Sequence, residues 1–201
     1  MTTATLVRPA PEKVAERARE IHRTMQADPE FGRLWDTCAK YSSDWTDCYG
    51  YTIIPEYDAT ADAPALFKET TRAMALKSAV FDLTDGNERA AELRLPVPVD
   101  VMSHALTAQF TLLCRMQERG GFRFVHMTDM EDGAGGGLWD HGDYTHQSYR
   151  LAFGPVNDRY WIGAAETERR RRVLDGVFSR IGVTERAKRV SIPLGVDVTT
   201  R

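Results

Sequence analysis

The fold class of this chain depends on Phe122–Phe153, which reads FRFVHMTDMEDGAGGGLWDHGDYTHQSYRLAF. Its first part, Phe122 to Met127, carries an aromatic side chain at every second position, which is typical of a half-buried strand. Its last part, Tyr144 to Phe153, is rich in aromatic residues and ends at Gly154–Pro155, so it predicts a second strand. The glycine-rich loop Asp129–Gly137 lies between the two. The stretch therefore predicts a small antiparallel sheet in this half of the chain.

Helical periodicity dominates the residues before this stretch. Apolar side chains recur at helical spacing from Val14 to Met25 and again from Met102 to Met116. Asp28–Pro29 is typical of the start of a further helix, because aspartate caps a helix and proline suits its first turn. The predicted fold class is therefore α+β, with a helix-rich N-terminal half and a small antiparallel sheet built from the C-terminal half.

One more helix and one more strand are predicted after the sheet. The helix covers Thr167 to Ile181, and a terminal strand covers Val190 to Val198. Apolar residues of this helix are expected to form a buried stripe: Val173, Leu174, Val177, Phe178 and Ile181.

The length and composition fit one globular domain. The chain has 201 residues, of which 42% are hydrophobic and 27% are charged, so it can build an ordinary core. Residues 1–10 show no periodic pattern and are predicted to be a disordered leader. Residues 11–201 are predicted to form the single α+β domain.

Charge and cysteine usage restrict the function classes. The formal net charge of −3 argues against nucleic acid as a partner, since domains that grip phosphates are usually basic. No apolar run approaches the ~20 residues of a membrane span, so no membrane partner is expected. The three cysteines are scattered and form no CxxC pair, and the first residues lack the apolar core of a signal peptide. We therefore expect a cytoplasmic protein.

The loop and its flanks contain three of the five histidines, namely His126, His141 and His146. On an extended backbone, the side chains of His141 and Asp143 point to the same side, so an imidazole and a carboxylate could bind one cation together. This pairing resembles the His-x-Asp pair of non-haem iron oxygenases, which also use a distant second histidine. The present chain has no histidine after His146, so that later ligand is missing.

Two other histidines could supply the third ligand. His146 would serve if a bulge or turn separated it from Asp143, because an unbroken strand would point the two side chains to opposite sides. His126 would serve if the glycine loop joined two neighbouring strands as a wide hairpin. The sequence leaves both alternatives open. Either set would hold a divalent metal, iron or zinc.

Neighbouring residues complete a hypothetical active site. Tyr144 or Asp140 would act as the acid or base, and Arg150 would bind a substrate carboxylate. Trp139 would be the apolar tip of a lid that closes over the substrate. The predicted function is a small metal-dependent enzyme that acts on a small polar metabolite, with non-haem iron oxygenase-like or zinc hydrolase-like chemistry.

A second hypothesis belongs to a different class. In it the protein is a non-catalytic binding or accessory protein, which recognises a partner through residues 129–143 or through the helix that carries Arg169–Arg172. Self-association into a homo-oligomer is compatible with both hypotheses. A haem or flavin cofactor is a further alternative, which the sequence neither favours nor excludes.

Overall fold

Helices form all of the regular secondary structure in the part of the chain that the structure describes. The structure is a computed structural model, and it describes residues 7–40, 57, 59–126 and 138–182. Its helices are α1 (Pro11–Ala27), α2 (Phe31–Lys40), α3 (Ala59–Leu83), α4 (Glu88–Ala91), α5 (Val97–Thr107), α6 (Phe110–Gly120), α7 (Tyr144–Phe153) and α8 (Ala164–Arg180). No strand occurs among these residues, so the α+β prediction with its small antiparallel sheet is wrong.

The centre of the fold is α3. Every residue from Ala73 to Val80 is buried, which is typical of a helix that is covered on all sides. Helices α1, α2, α5 and α7 pack against it. Helix α1 contributes the stripe that runs from Val14 to Met25, whose apolar members are buried as the sequence periodicity predicted. The candidate site residues described below are therefore attached to a scaffold built around one buried helix.

The predicted strand Tyr144–Phe153 is helix α7. The carboxylate of Asp143 caps this helix, because Oδ1 accepts the backbone N–H of His146 at 2.8 Å. The side chains that α7 buries include Thr145, Ser148 and Tyr149, which follow helical spacing rather than alternation. The aromatic content of this segment suggested a strand. The capping aspartate and the helical spacing of the buried side chains favour a helix instead.

The other predicted strands are not observed either. Phe122 to His126 has no regular secondary structure, and the backbone N–H of Phe124 donates to the side chain of Gln117 at 2.8 Å. Both Phe122 and Val125 are buried, whereas a half-buried strand would bury every second residue. Met127 and the predicted strand Val190–Val198 lie outside the described residues.

Two helix predictions also need correction. The continuous helix predicted across Met102–Met116 is broken at Ala108–Gln109 into α5 and α6, and this break leaves Phe110 exposed. On α8, Val173, Val177 and Ile181 are exposed rather than buried. Thr167 is the only buried residue of α8. This helix therefore contacts the scaffold mainly through its N-terminal part.

The described residues before α1 are held to the scaffold. The Arg8 guanidinium donates to the carbonyl oxygens of Ala90 and Glu92, at 2.8 and 3.0 Å. The hydroxyl of Tyr144 donates to the carbonyl oxygen of Pro9 at 2.7 Å. These bonds connect residues 8 and 9 to α4 and α7. The leader predicted for residues 1–10 is described only from residue 7 onward.

Candidate functional site

Three side chains with metal-ligating chemistry converge at α5. Asp100 and His104 lie one helical turn apart, with His104 Nε2 3.6 Å from Asp100 Oδ2. His126 approaches from the segment after α6, and its ring centroid is 5.0 Å from that of His104. One ligand atom from each residue lies within 4.8 Å of the other two. Among the described residues, no other group of three histidine, cysteine, aspartate or glutamate side chains meets this distance criterion.

The local sequence explains where Asp100 and His104 lie on α5. The helix begins after Pro96, whose carbonyl accepts the Asp100 N–H at 3.0 Å. Its apolar face, which includes Met102 and Leu106, is buried in the core. The i, i+4 spacing then places both ligating side chains at the edge of that face, where Asp100 is 35% and His104 is 40% exposed. A metal ion or a small molecule can therefore reach them from solvent.

His126, like the other two members of the group, is partly buried. Burial, followed by the positive charge of Lys77, lowers its pKa below the ordinary value, so the imidazole is neutral at pH 7. Its Nδ1 is buried and has no hydrogen-bond partner among the described residues. A buried polar atom without a partner costs free energy, which a bound metal ion would recover. The neutral imidazole is also the form that binds metals.

The chemistry of this donor set is that of a divalent transition-metal site. Two imidazoles and one carboxylate are ligands shared by zinc and iron enzymes. Bonds of about 2.0–2.2 Å would bring the ligand atoms to roughly 3–3.5 Å from one another. The observed separations are therefore within about an ångström or two of a metal-bound arrangement. Three protein ligands also leave coordination positions for water or substrate, as catalytic sites require.

The residues predicted around His141 form a different cluster. Asp143 caps α7, and Nδ1 of His146 accepts the backbone N–H of Gly142 at 2.8 Å. The rings of His141 and His146 are 5.2 Å apart, edge to face. His126 instead contacts His104, so the structure does not show it meeting the other two predicted histidines. In this cluster the structure uses the polar atoms of Asp143 and His146 to begin a helix.

Trp139 and Asp140 also have structural contacts. Trp139 is 1% exposed and packs against Trp161 at 5.2 Å and against His141 at 4.8 Å, so it is a core side chain. Oδ1 of Asp140 accepts the His141 N–H at 2.8 Å. The same oxygen lies only 2.6 Å from where a Cβ on Gly163 would be, so only glycine fits at that position without a shift.

Tyr144 and Arg150 lie on α7, on either side of His146. The Tyr144 hydroxyl is engaged with Pro9, and burial raises its pKa above the ordinary value. Arg150 is exposed and follows His146 by one helical turn, so the two share a face of the helix.

The arginine run on α8 forms ion pairs with acidic residues of the same helix. Arg169 and Arg170 donate to Glu166, and Arg171 donates to Glu168 at 3.2 Å. These are i, i+3 and i, i+4 pairs, in which the side chains of Arg170 and Arg171 are only 24% and 14% exposed. Arg170 also donates to the hydroxyl of Tyr57 at 3.0 Å, so the run both stabilises α8 and connects it to Tyr57.

A buried polar network lies beneath α7, and no sequence pattern indicated it. Glu69 of α3 accepts hydrogen bonds from Trp161 Nε1 at 2.7 Å and from the hydroxyl of Tyr149. Arg72 lies 3.5 Å from the same carboxylate and donates to the Tyr149 hydroxyl at 3.1 Å. Burial and the negative charge of Glu69 raise the pKa of Tyr149. The network connects α7 and the segment before α8 to the central helix.

Sequence reasoning missed Asp100 and His104 as site residues. The Asp-x-x-x-His spacing was available, because it places a carboxylate and an imidazole on one face of a helix. Nothing local indicated that His126, 22 positions after His104, would complete the group, since that contact depends on the break between α5 and α6.

Comparison of the chain with protein-family models, with curated proteins and with solved structures gave no match in any of the three. None of the described helices is both long enough and apolar enough to cross a bilayer.

Proposed function

We propose that this protein is a metal-dependent enzyme that binds one divalent transition-metal ion through Asp100, His104 and His126. The observation that carries this proposal is the convergence of the three ligand atoms within 4.8 Å. The neutral state of His126 and the partial exposure of the other two side chains support it, because both favour metal uptake.

The open coordination positions support catalysis rather than a purely structural ion. A structural zinc site is usually closed by four protein ligands, whereas the described residues offer three. On iron, the open positions would bind oxygen and substrate. On zinc, one of them would hold an activated water for hydrolysis. In both cases we propose a small polar metabolite as the substrate and the cytoplasm as the location.

Elemental analysis of the purified, untagged protein tests the proposal. We expect about one iron or zinc per chain, or uptake of one cobalt(II) per chain after reconstitution. The variants His104→Ala and His126→Ala should lose this metal, because each removes one of three ligands. Their far-ultraviolet circular dichroism should stay helical.

The chain offers a matched control in its second pair of histidines. His141→Ala and His146→Ala also remove one imidazole each, but from the cluster at the start of α7. We expect both to retain the metal. Metal loss in these variants with retention in His104→Ala would move the site to the α7 cluster. A protein that takes up no metal under any condition would refute the proposed function.

A further inference from the structure

A row of oxidisable aromatic rings runs from the surface into the core beside α7. The ring of His141, an exposed residue, lies 4.8 Å from that of Trp139. Trp139 packs 5.2 Å from Trp161, and Trp161 packs 4.5 Å from Tyr149. These centroid distances are those of aromatic rings in contact. Trp139 and Trp161 are 1% exposed and Tyr149 is fully buried, so this aromatic row of three rings begins one ring below the solvent and ends in the core.

The two tryptophans of the aromatic row have different surroundings. Tryptophan and tyrosine are the aromatic side chains that lose an electron most readily. Nε1 of Trp139 is buried without a hydrogen-bond partner among the described residues, so an oxidised Trp139 keeps its proton and its positive charge. Trp161 Nε1 donates to Oε2 of Glu69 at 2.7 Å, and this bond strengthens when the indole becomes a cation, so Trp161 is the easier of the two to oxidise. An electron therefore passes favourably from Trp161 to an oxidised Trp139.

Tyr149, at the inner end of the aromatic row, has a proton acceptor in place. Its hydroxyl donates to the same Oε2 atom of Glu69. Burial, followed by the negative charge of Glu69, raises the pKa of Tyr149, so the side chain is a neutral phenol at pH 7. An oxidised phenol is strongly acidic and passes its proton to such a carboxylate. Arg72 also donates to the Tyr149 oxygen, at 3.1 Å, and this bond remains after the proton has left.

We propose that the aromatic row carries an oxidising equivalent from the protein surface to Tyr149 and holds it there as a tyrosyl radical. The co-reactant is a diffusible one-electron oxidant. It takes one electron from Trp139, which is refilled by Trp161, and Trp161 is refilled by Tyr149. The Tyr149 proton moves to Oε2 of Glu69, so the products are a neutral phenoxyl radical, a carboxylic acid and an oxidant reduced by one electron. This activity does not depend on the metal site at α5.

Photo-oxidation of the purified protein tests the proposal against a packed core with no redox role. A tris(bipyridine)ruthenium photosensitiser with persulfate generates a ruthenium(III) oxidant in solution during a light pulse, and the sample is then frozen for electron paramagnetic resonance. Ring-deuterated tyrosine, incorporated during expression, distinguishes a tyrosyl from a tryptophanyl radical. In the wild-type protein we expect a tyrosyl radical that outlives the radicals of exposed tyrosines, because burial separates Tyr149 from other molecules.

Two variants interrupt the aromatic row at different rings. Trp139→Phe keeps an aromatic ring and removes no hydrogen bond of the described residues. We expect it to lose the long-lived tyrosyl signal, although Tyr149 and Glu69 are unchanged. Tyr149→Phe should replace the tyrosyl signal by a tryptophanyl signal, because the last electron donor of the row is missing.

Tyr160→Phe is the matched control. Tyr160 is also buried, and its hydroxyl also donates to a carboxylate, that of Asp62 at 2.7 Å. Its ring stacks on that of Tyr57 and is not part of the aromatic row. We expect this variant to give the wild-type signal.

A further variant covers the case in which Trp139→Phe does not fold. Glu69→Gln keeps a hydrogen-bond acceptor for Tyr149 and Trp161 but cannot take up the proton, so we expect the oxidation to stop at the tryptophans. A long-lived tyrosyl signal that survives in Tyr149→Phe, or in both of the other two variants, would overturn the inference. A wild-type protein that forms no long-lived tyrosyl radical would also overturn it.

Discussion

Two regions of this molecule bring histidines and an aspartate together, and they use them differently. At the start of α7, side-chain atoms of Asp143 and His146 accept hydrogen bonds from backbone N–H groups. At α5, Nδ1 of His126 is buried without a partner among the described residues. Side chains that the fold already satisfies are poor metal ligands, because coordination would have to replace those hydrogen bonds. On this criterion the group at α5 is the better candidate for a metal site.

The largest effect that separates the two regions is expected from Glu69. Its removal would leave Trp161 Nε1, the Tyr149 hydroxyl and Arg72 without their shared acceptor beneath α7. We expect Glu69→Ala to lower the free energy of unfolding by about 3–5 kcal/mol, the range for breaking a buried ion pair. Urea denaturation measures this change. The folded fraction should still bind metal at α5, and a loss of stability below about 1 kcal/mol would contradict the role given to this network.

The sequence predicted the central helical features because they depend on local patterns. The stripe from Val14 to Met25 was visible from spacing alone. Gly121, which ends α6, has a φ of 64°, a conformation that glycine favours. The sheet was wrong because the aromatic residues of Tyr144–Phe153 fit both a strand and a helix. Asp143 was interpreted from the sequence as a metal ligand. It is instead the cap of α7, and such a cap distinguishes a helix from a strand.

The candidate site was only partly accessible from the sequence. His126 was proposed as a ligand, but its partners were sought in the next segment of the chain instead of the preceding helix. The contact with His104 spans the whole of α6, so no local rule could supply it. The buried stripe predicted on α8 was wrong for the same reason. Amphipathic spacing predicts an apolar stripe, but it does not predict that another element covers that stripe.

Acidification is expected to distinguish the buried imidazoles from the exposed ones. Burial, with the charges of Arg72 and Lys68, lowers the pKa of His22 to about 4, and the pKa of His126 is lowered as well. The unfolded chain takes up these protons near the ordinary value of 6.5, before the folded chain does. Stability is therefore complete above pH 6.5 and falls as the pH drops toward 4, by up to about 1.4 kcal/mol per pH unit for each imidazole.

Urea denaturation of the metal-free protein at several pH values measures this slope. His22→Gln and His126→Gln should each flatten it. A slope that neither variant flattens would contradict the assignment of these two imidazoles as buried and neutral.

A smaller effect is expected from Asp143. Asp143→Ala removes the cap of α7, which typically costs about 1 kcal/mol of stability. Because we assign Asp143 to capping, metal content should stay at one ion per chain. Asp143→Asn keeps a capping oxygen and should retain most of the stability. If Asp143→Ala instead lost the metal at unchanged stability, Asp143 would be a ligand and the two regions would exchange roles.

The smallest effect is expected on the surface of α8, where charged side chains also satisfy one another. Arg169→Ala breaks a bidentate pair with Glu166, in which the two side chains are 54% and 36% exposed, and Arg170 still donates to the same carboxylate. Exposed helix pairs contribute about 0.3–0.5 kcal/mol, so the free energy of unfolding should change by no more than this, and less in high salt. Thermal denaturation at low and high salt measures the difference. A salt-independent loss above about 1 kcal/mol would show that Arg169 does more than stabilise its own helix.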